Sequence, residues 1–85
     1  MIFTHYSDPS HGWLRVDIQT AESVGLKPDD FSTFSYAYAH WLYLEEDMDA
    51  GTFVRAYRAK YGADPQIKCS NTNRPSNIRN YPRIR

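Results

Sequence analysis

Four side chains of this chain are soft metal ligands or nucleophiles: His5, His11, His40 and Cys69. Zinc binds imidazole nitrogen and thiolate sulfur in tetrahedral sets, and its sequence signature is a close pair such as Cys-x-x-Cys or His-x-x-x-His. The ligands here are scattered, so only the fold could gather them, and no metal site is expected. His11 precedes Gly12 and reads as a turn residue; His5 reads as a strand residue. As a nucleophile Cys69 would need a histidine in reach and a setting that favours thiolate. Nothing near it in sequence supplies either, and beside Ile67 it reads as a small buried apolar residue. The expectation is a non-catalytic protein without a cofactor. A metal-dependent enzyme built on the histidines and acids is the least supported class.

The run Glu45-Glu46-Asp47-Met48-Asp49 is the densest cluster of charge. Paired carboxylates do acid–base work or hold divalent cations. Asp47-x-Asp49-x-Gly51 has the first part of a calcium loop but lacks the third acid and the terminal glutamate. Helix capping and matching of the helix dipole account for the same residues without chemistry. As a functional feature the block reads as an acidic surface for a basic partner. Glu45, Glu46 and Asp49 are then its contact residues, joined by an exposed Trp13 and Arg15.

The charge balance is uneven along the chain. The net charge is zero, with ten acidic and ten basic residues, and every acid precedes residue 65. From there Lys68, Arg74, Arg79, Arg83 and Arg85 follow without an acid. Arginine forks match phosphate and Tyr81 can stack on a base, so this tail is a candidate nucleic-acid contact with salt-dependent affinity. The alternative is that its arginines pair with acids of residues 1–64 when the tail docks. A sequence pI of about 6.8 is low for a dedicated nucleic-acid binder.

The elements that must position these residues follow from periodicity. Ile2–Tyr6 reads as a strand, Asp8-Pro9-Ser10-His11-Gly12 as a turn, and Trp13–Ile18 alternates with Leu14, Val16 and Ile18 on one face. Thr20 can cap a short helix at residues 20–24 that ends at Gly25, with Leu26 returning to the core. Residues 31–46 carry apolar side chains that fit a helix. Their wealth of Tyr, Phe, Ser and Thr favours two strands, about 33–37 and 41–45, joined at Tyr38-Ala39-His40. Asp47 or Asp49 can cap the main helix, residues 47–61, with Ala50, Phe53, Val54, Tyr57 and Tyr61 as its buried stripe and Gly62 as its stop. Gln66–Cys69 can form a last strand. The segment 70–85 is rich in Asn, Pro and Arg and argues against regular structure, though Ile78, Tyr81 and Ile84 can dock it on the domain.

Three blocks resemble a group of small uncharacterised proteins carried by bacteriophages, plasmids and related mobile elements. They are Ser7-Asp8-Pro9-Ser10-His11-Gly12-Trp13-Leu14-Arg15-Val16, Tyr43-Leu44-Glu45-Glu46-Asp47-Met48-Asp49-Ala50, and Ser76-Asn77-Ile78-Arg79-Asn80-Tyr81. The blocks span most of the chain in the same order. The resemblance implies a bacterial or phage source and a compact α+β unit with a hairpin before the acidic block. It also implies a glycine in that hairpin's turn, which this sequence lacks between Tyr36 and Trp41.

The expected architecture is α+β. A four- or five-stranded, mostly antiparallel sheet carries the 47–61 helix on one face, with residues 1–69 as the domain and 70–85 as a basic, partly docked or flexible tail. An 85-residue chain buries a thin core. A lone cysteine, no secretory signal and no long apolar run point to a soluble cytoplasmic protein. The expected role is a non-catalytic interaction protein of a phage or mobile element that binds a host protein or complex, such as a defence or regulatory complex, through the acidic surface. The alternative is a small nucleic-acid-binding module that uses the tail. Exposed aromatics would serve a homodimer equally well.

Overall fold

The computed structural model describes residues 1–84, and Arg85 lies outside the described residues. Alternating apolar side chains build a five-stranded sheet in the order β3-β4-β2-β1-β5. β1 (Ile2–Ser7) and β2 (Gly12–Asp17) form the first hairpin. Asp8 Oδ1 folds its turn by accepting the backbone N–H groups of Ser10 and His11 at 3.0 and 2.9 Å. β4 (Trp41–Glu45) pairs antiparallel with β2 and with the short edge strand β3 (Tyr36–Tyr38). β5 (Gln66–Asn71) runs parallel to β1 on the far edge. The fold is α+β and mostly antiparallel, and residues 31–46 form a hairpin rather than a helix.

The β3–β4 turn has two residues, Ala39 and His40, between the paired Tyr38 and Trp41. Ala39 sits at φ 55°, in the left-handed region that glycine occupies at little cost. The first arm is shorter than the expected 33–37 because Ser32 and Ser35 are held by Asp49 instead of a neighbouring strand.

α1 (Ile18–Ser23) begins earlier than residue 20, because Asp17 and not Thr20 caps it, accepting Gln19 N–H at 2.7 Å. Ile18 is therefore a helix residue, not the end of the second strand. α2 (Asp49–Tyr61) is capped by neither Asp47 nor Asp49. Met48 occupies the cap position, and Glu45 Oε1 reaches forward to accept its N–H at 2.9 Å. Gly62, at φ 74°, ends the helix and donates its N–H to the Arg58 carbonyl at 2.8 Å.

The sheet face toward α2 supplies Phe3, Leu14, Val16, Leu42 and Leu44, which pack with Phe53, Ala21 and Phe31. The Phe3 ring meets Phe53 edge-on at 5.3 Å. Ala50, Val54 and Tyr57 flank this core. Tyr61 departs from the expected stripe at 52% exposed. Every residue from Arg58 to Tyr61 is exposed, so the buried stripe ends at Tyr57. Gly12 has a steric reason: a Cβ there would lie 2.6 Å from the His5 ring. Among the described residues no helix is long and apolar enough to cross a membrane.

Candidate functional site

The face away from α2 is built by the other half of each strand's alternation. Register places Thr4, Arg15 and Tyr43 in one row across β1, β2 and β4, with Tyr6 and Trp13 in the next and Asp17 and Trp41 on the other side. Lys68 joins the first row through its pairing with Thr4. A small domain seldom leaves so aromatic a face bare.

The C-terminal segment covers the Trp13 and Tyr43 side of it. Ile78, 5% exposed, inserts against Trp13 and Tyr43, and Tyr81 stacks on Tyr38 with ring centroids 4.7 Å apart. Ser76 caps a 3-10 turn at Asn77–Asn80 by accepting Ile78 N–H at 3.2 Å. Arg79 donates to both carboxylate oxygens of Asp8, and Ser76 N–H donates to Asp8 as well. Past the turn, the Pro82 carbonyl accepts Ala37 N–H and Ile84 N–H reaches the Ser35 carbonyl. Docking by Ile78, Tyr81 and Ile84 thus matches their apolar character in the sequence.

These contacts sort the tail residues proposed for nucleic acid. Arg79 is neutralised by Asp8. Arg83 donates to the Thr33 carbonyl at 3.0 Å and lies 4.8 Å over the Tyr36 ring. Tyr81 is wedged between Tyr38 and Tyr43. Arg74 alone of the described tail arginines is exposed and makes no side-chain hydrogen bond or ion pair.

Arg74 opens instead onto a cleft of about 540 Å³, shared with Arg15, Tyr6, Tyr43 and Tyr81 and walled by Thr72, Ser76 and Asn77. The Arg15 guanidinium lies 4.2 Å from the Trp41 ring centre and 5.5 Å from that of Tyr6. Such stacking fixes the guanidinium plane and leaves its N–H edge available. Among the described residues Arg15 has no ion pair. On its other side a second hollow, about 350 Å³, is lined by Ile2, Thr4, Asp17 and Trp41. Asp17 is engaged there by the α1 cap and by His40, whose Nε2 lies 3.8 Å away. Burial, and then the neighbouring Tyr81 phenol, push the Tyr43 phenol above its ordinary pKa, so it stays a neutral donor.

The acidic surface is not assembled as expected. Trp13, expected to be exposed, is 2% exposed because Ile78 and Arg79 cover it. Asp49, expected at the surface, is 3% exposed and accepts from Ser32 N–H, Ser32 Oγ and Ser35 Oγ. Glu45 caps α2, and Glu46 turns to the opposite face, 3.6 Å from His5 Nε2. Trp13 and Asp49 are corrected from contact residues to interior ones, while Arg15 is half-buried in the cleft.

Among the described residues no three His, Cys, Asp or Glu side chains converge as a cation site. His5 faces Glu46 and His40 faces Asp17, while Cys69, expected to be buried, is exposed because β5 is the uncovered edge strand. Sequence reasoning missed Tyr6, Trp41 and Tyr43 as members of the Arg15 site. The signal was present: Trp41 and Tyr43 are two apart in a strand whose alternate positions, Leu42 and Leu44, are core. No protein-family model, curated protein or solved structure matches this chain.

Proposed function

We propose that the protein is a small binding module for single-stranded nucleic acid, using the cleft between Arg15 and Arg74. The observation that carries this reading is the Arg15 guanidinium, held by two aromatic rings, free of any carboxylate pair among the described residues, and opening on the same cleft as Arg74. Two guanidinium groups along one groove suit successive phosphates, and the Tyr6 ring offers a stacking surface. The hydroxyl and amide side chains of Thr72, Ser76 and Asn77 suit the polar edges of a splayed base. Lys68, on the same face, extends the cationic row toward β5. A duplex, with its bases stacked inside, would use only the charges.

The module reads charge locally. With a net charge of zero, long-range attraction is weak and the affinity rests on the few cations of this face. The tail thereby acts in a different manner from a flexible basic arm: it walls the groove, and one of its arginines contributes to it.

Fluorescence anisotropy with short labelled homopolymeric DNA and RNA strands tests the reading. Binding at low salt that weakens in Arg15→Gln and in Arg74→Gln, and that exceeds binding to the matching duplex, is the expected result. Binding indifferent to both substitutions, or none at low salt, would overturn it.

A further inference from the structure

The two edges of the sheet are finished differently. At β3 the tail supplies the missing neighbour: Ala37 N–H donates to Pro82, Ile84 N–H donates to Ser35, and Tyr36 bridges to Arg83. At the other end all six residues of β5 are exposed, Ile67 at 43%, and among the described residues no strand lies beyond it. An open edge of this length is a template for one more strand. We propose that β5 pairs with β5 of a second copy, antiparallel about a two-fold axis that passes beside Cys69.

The backbone phase selects this register. Thr72 N–H donates to the Ser7 carbonyl at 2.9 Å, and Ser7 is in register with Asn71. Backbone direction alternates along a strand, so Thr72, Ser70 and Lys68 turn their N–H and C=O groups to β1. Ile67, Cys69 and Asn71 turn theirs outward. An axis at Lys68 would set two ammonium groups directly opposite each other. An axis at Ile67 would bring Pro65, which has no N–H, opposite Cys69. An axis at Cys69 pairs the strand from Ile67 to Asn71. It pairs Ile67 with Asn71 and Lys68 with Ser70 of the other copy, and no like charges meet.

An axis perpendicular to the sheet keeps α2 of both copies on one side. The aromatic, cationic faces then lie together on the other side, with the two Lys68 side chains flanking the seam. The doubled sheet would join two Arg15 clefts into one continuous surface. Pairing through the edge is independent of whether nucleic acid is the ligand, and the test uses protein alone.

Edge pairing of one short strand buries an area at the small end for stable complexes, so dimerisation is to be followed up to high protein concentration. Sedimentation velocity of the full chain is expected to show a reversible monomer–dimer equilibrium. Cys69→Pro removes an N–H that faces solvent in the monomer, a position where an edge strand tolerates proline, and deletes both central bonds of the dimer. It is expected to sediment as a monomer with its circular dichroism retained. Cys69→Lys, which leaves the backbone unaltered, is expected to weaken dimerisation about fivefold. A short bismaleimide is expected to link the wild-type copies through Cys69, with a yield that falls on dilution. A wild-type chain that remains monomeric throughout overturns the proposal, as does a dimer that both variants preserve.

Discussion

Arg79 grips Asp8 from the far end of the chain, its Nε and Nη2 donating to the two carboxylate oxygens at 2.6 and 2.9 Å. The Asp8 side chain is wholly shielded from solvent, whereas that of Arg79 is one-third exposed. One carboxylate thus folds the first hairpin turn, receives Ser76 N–H and anchors the tail. Arg79→Ala is expected to release residues 75–84 from the aromatic face. The loss of melting temperature should exceed that of Arg58→Ala, whose ion pair with Asp64 is exposed on both sides. Limited proteolysis with trypsin should then cut first after Arg83, since Pro75 protects the bond after Arg74. Equal stability of the two variants would deny the pair an anchoring role.

The same pair predicts a pH dependence. Arg79, with the Ser76, Ser10 and His11 N–H groups adding to it, holds the Asp8 carboxyl well below the usual carboxylate range against the opposing effect of burial. The unfolded chain therefore takes up this proton first as pH falls through about 4, while the folded chain resists it. The contribution is fully present above that pH and is lost progressively below it. Urea midpoints of wild type and Asp8→Asn should be separated by a constant gap near neutral pH and converge in acid. A gap that widens in acid would reverse the sign and refute the assignment.

Ala39 carries a backbone strain that its sequence hid. Its φ of 55° belongs to glycine, asparagine or aspartate more than to alanine. Ala39→Gly is expected to stabilise the protein by about 0.5–1 kcal/mol, the relief of the Cβ clash exceeding the added freedom of the unfolded chain. Chemical denaturation measures it; a destabilised variant would mean that the Ala39 methyl contributes packing worth more than the strain.

That turn marks where the sequence stopped being legible. Strand-favouring composition located β1 and β4, alternation located β2, the 3.6-residue period located α2, and Gly62 marked its end. Each of these signals is local, and the faces of β2 and α2 were assigned by a repeat of two or of 3.6. What lay between residues separated by most of the chain could not be read this way. Asp8 looked like a turn residue, and pairing of the tail arginines with acids of residues 1–64 was one of two readings with no partner named for Arg79, because the pair depends on the tail returning across the sheet. Trp13 shared a strand face with Arg15 and looked exposed for the same reason, since nothing in residues 12–18 announces that Ile78 will cover it. Asp49 looked like a cap because the serines that receive it lie in a loop without periodicity.

Asp49 tests that last point. Three donors from Ser32 and Ser35 converge on its carboxylate, and Ser35 Oγ in turn accepts Glu45 N–H at 2.9 Å. Asp49→Ala leaves buried donors without acceptors and is expected to cost about 2–3 kcal/mol. Asp47→Ala, at an exposed neighbouring position, should be near neutral. A surface-only role for both acids would make the two substitutions equivalent in a denaturation series.

Salt dependence separates the cations that touch a strand from those that hold the fold. Each phosphate neutralised by Arg or Lys contributes a slope of about −0.7 to log affinity against log salt for single strands. Arg15→Gln and Arg74→Gln should each reduce that slope by about this amount with little change in melting temperature. Arg15→Lys should restore part of the slope but not the affinity, because an ammonium cannot lie flat against Trp41 and present a fork to phosphate. Arg58→Gln, exposed on α2 and paired with Asp64, should change neither. If Arg58→Gln lowered the slope as much as Arg15→Gln, binding would be a diffuse property of the surface, and the cleft would have no special claim to the ligand.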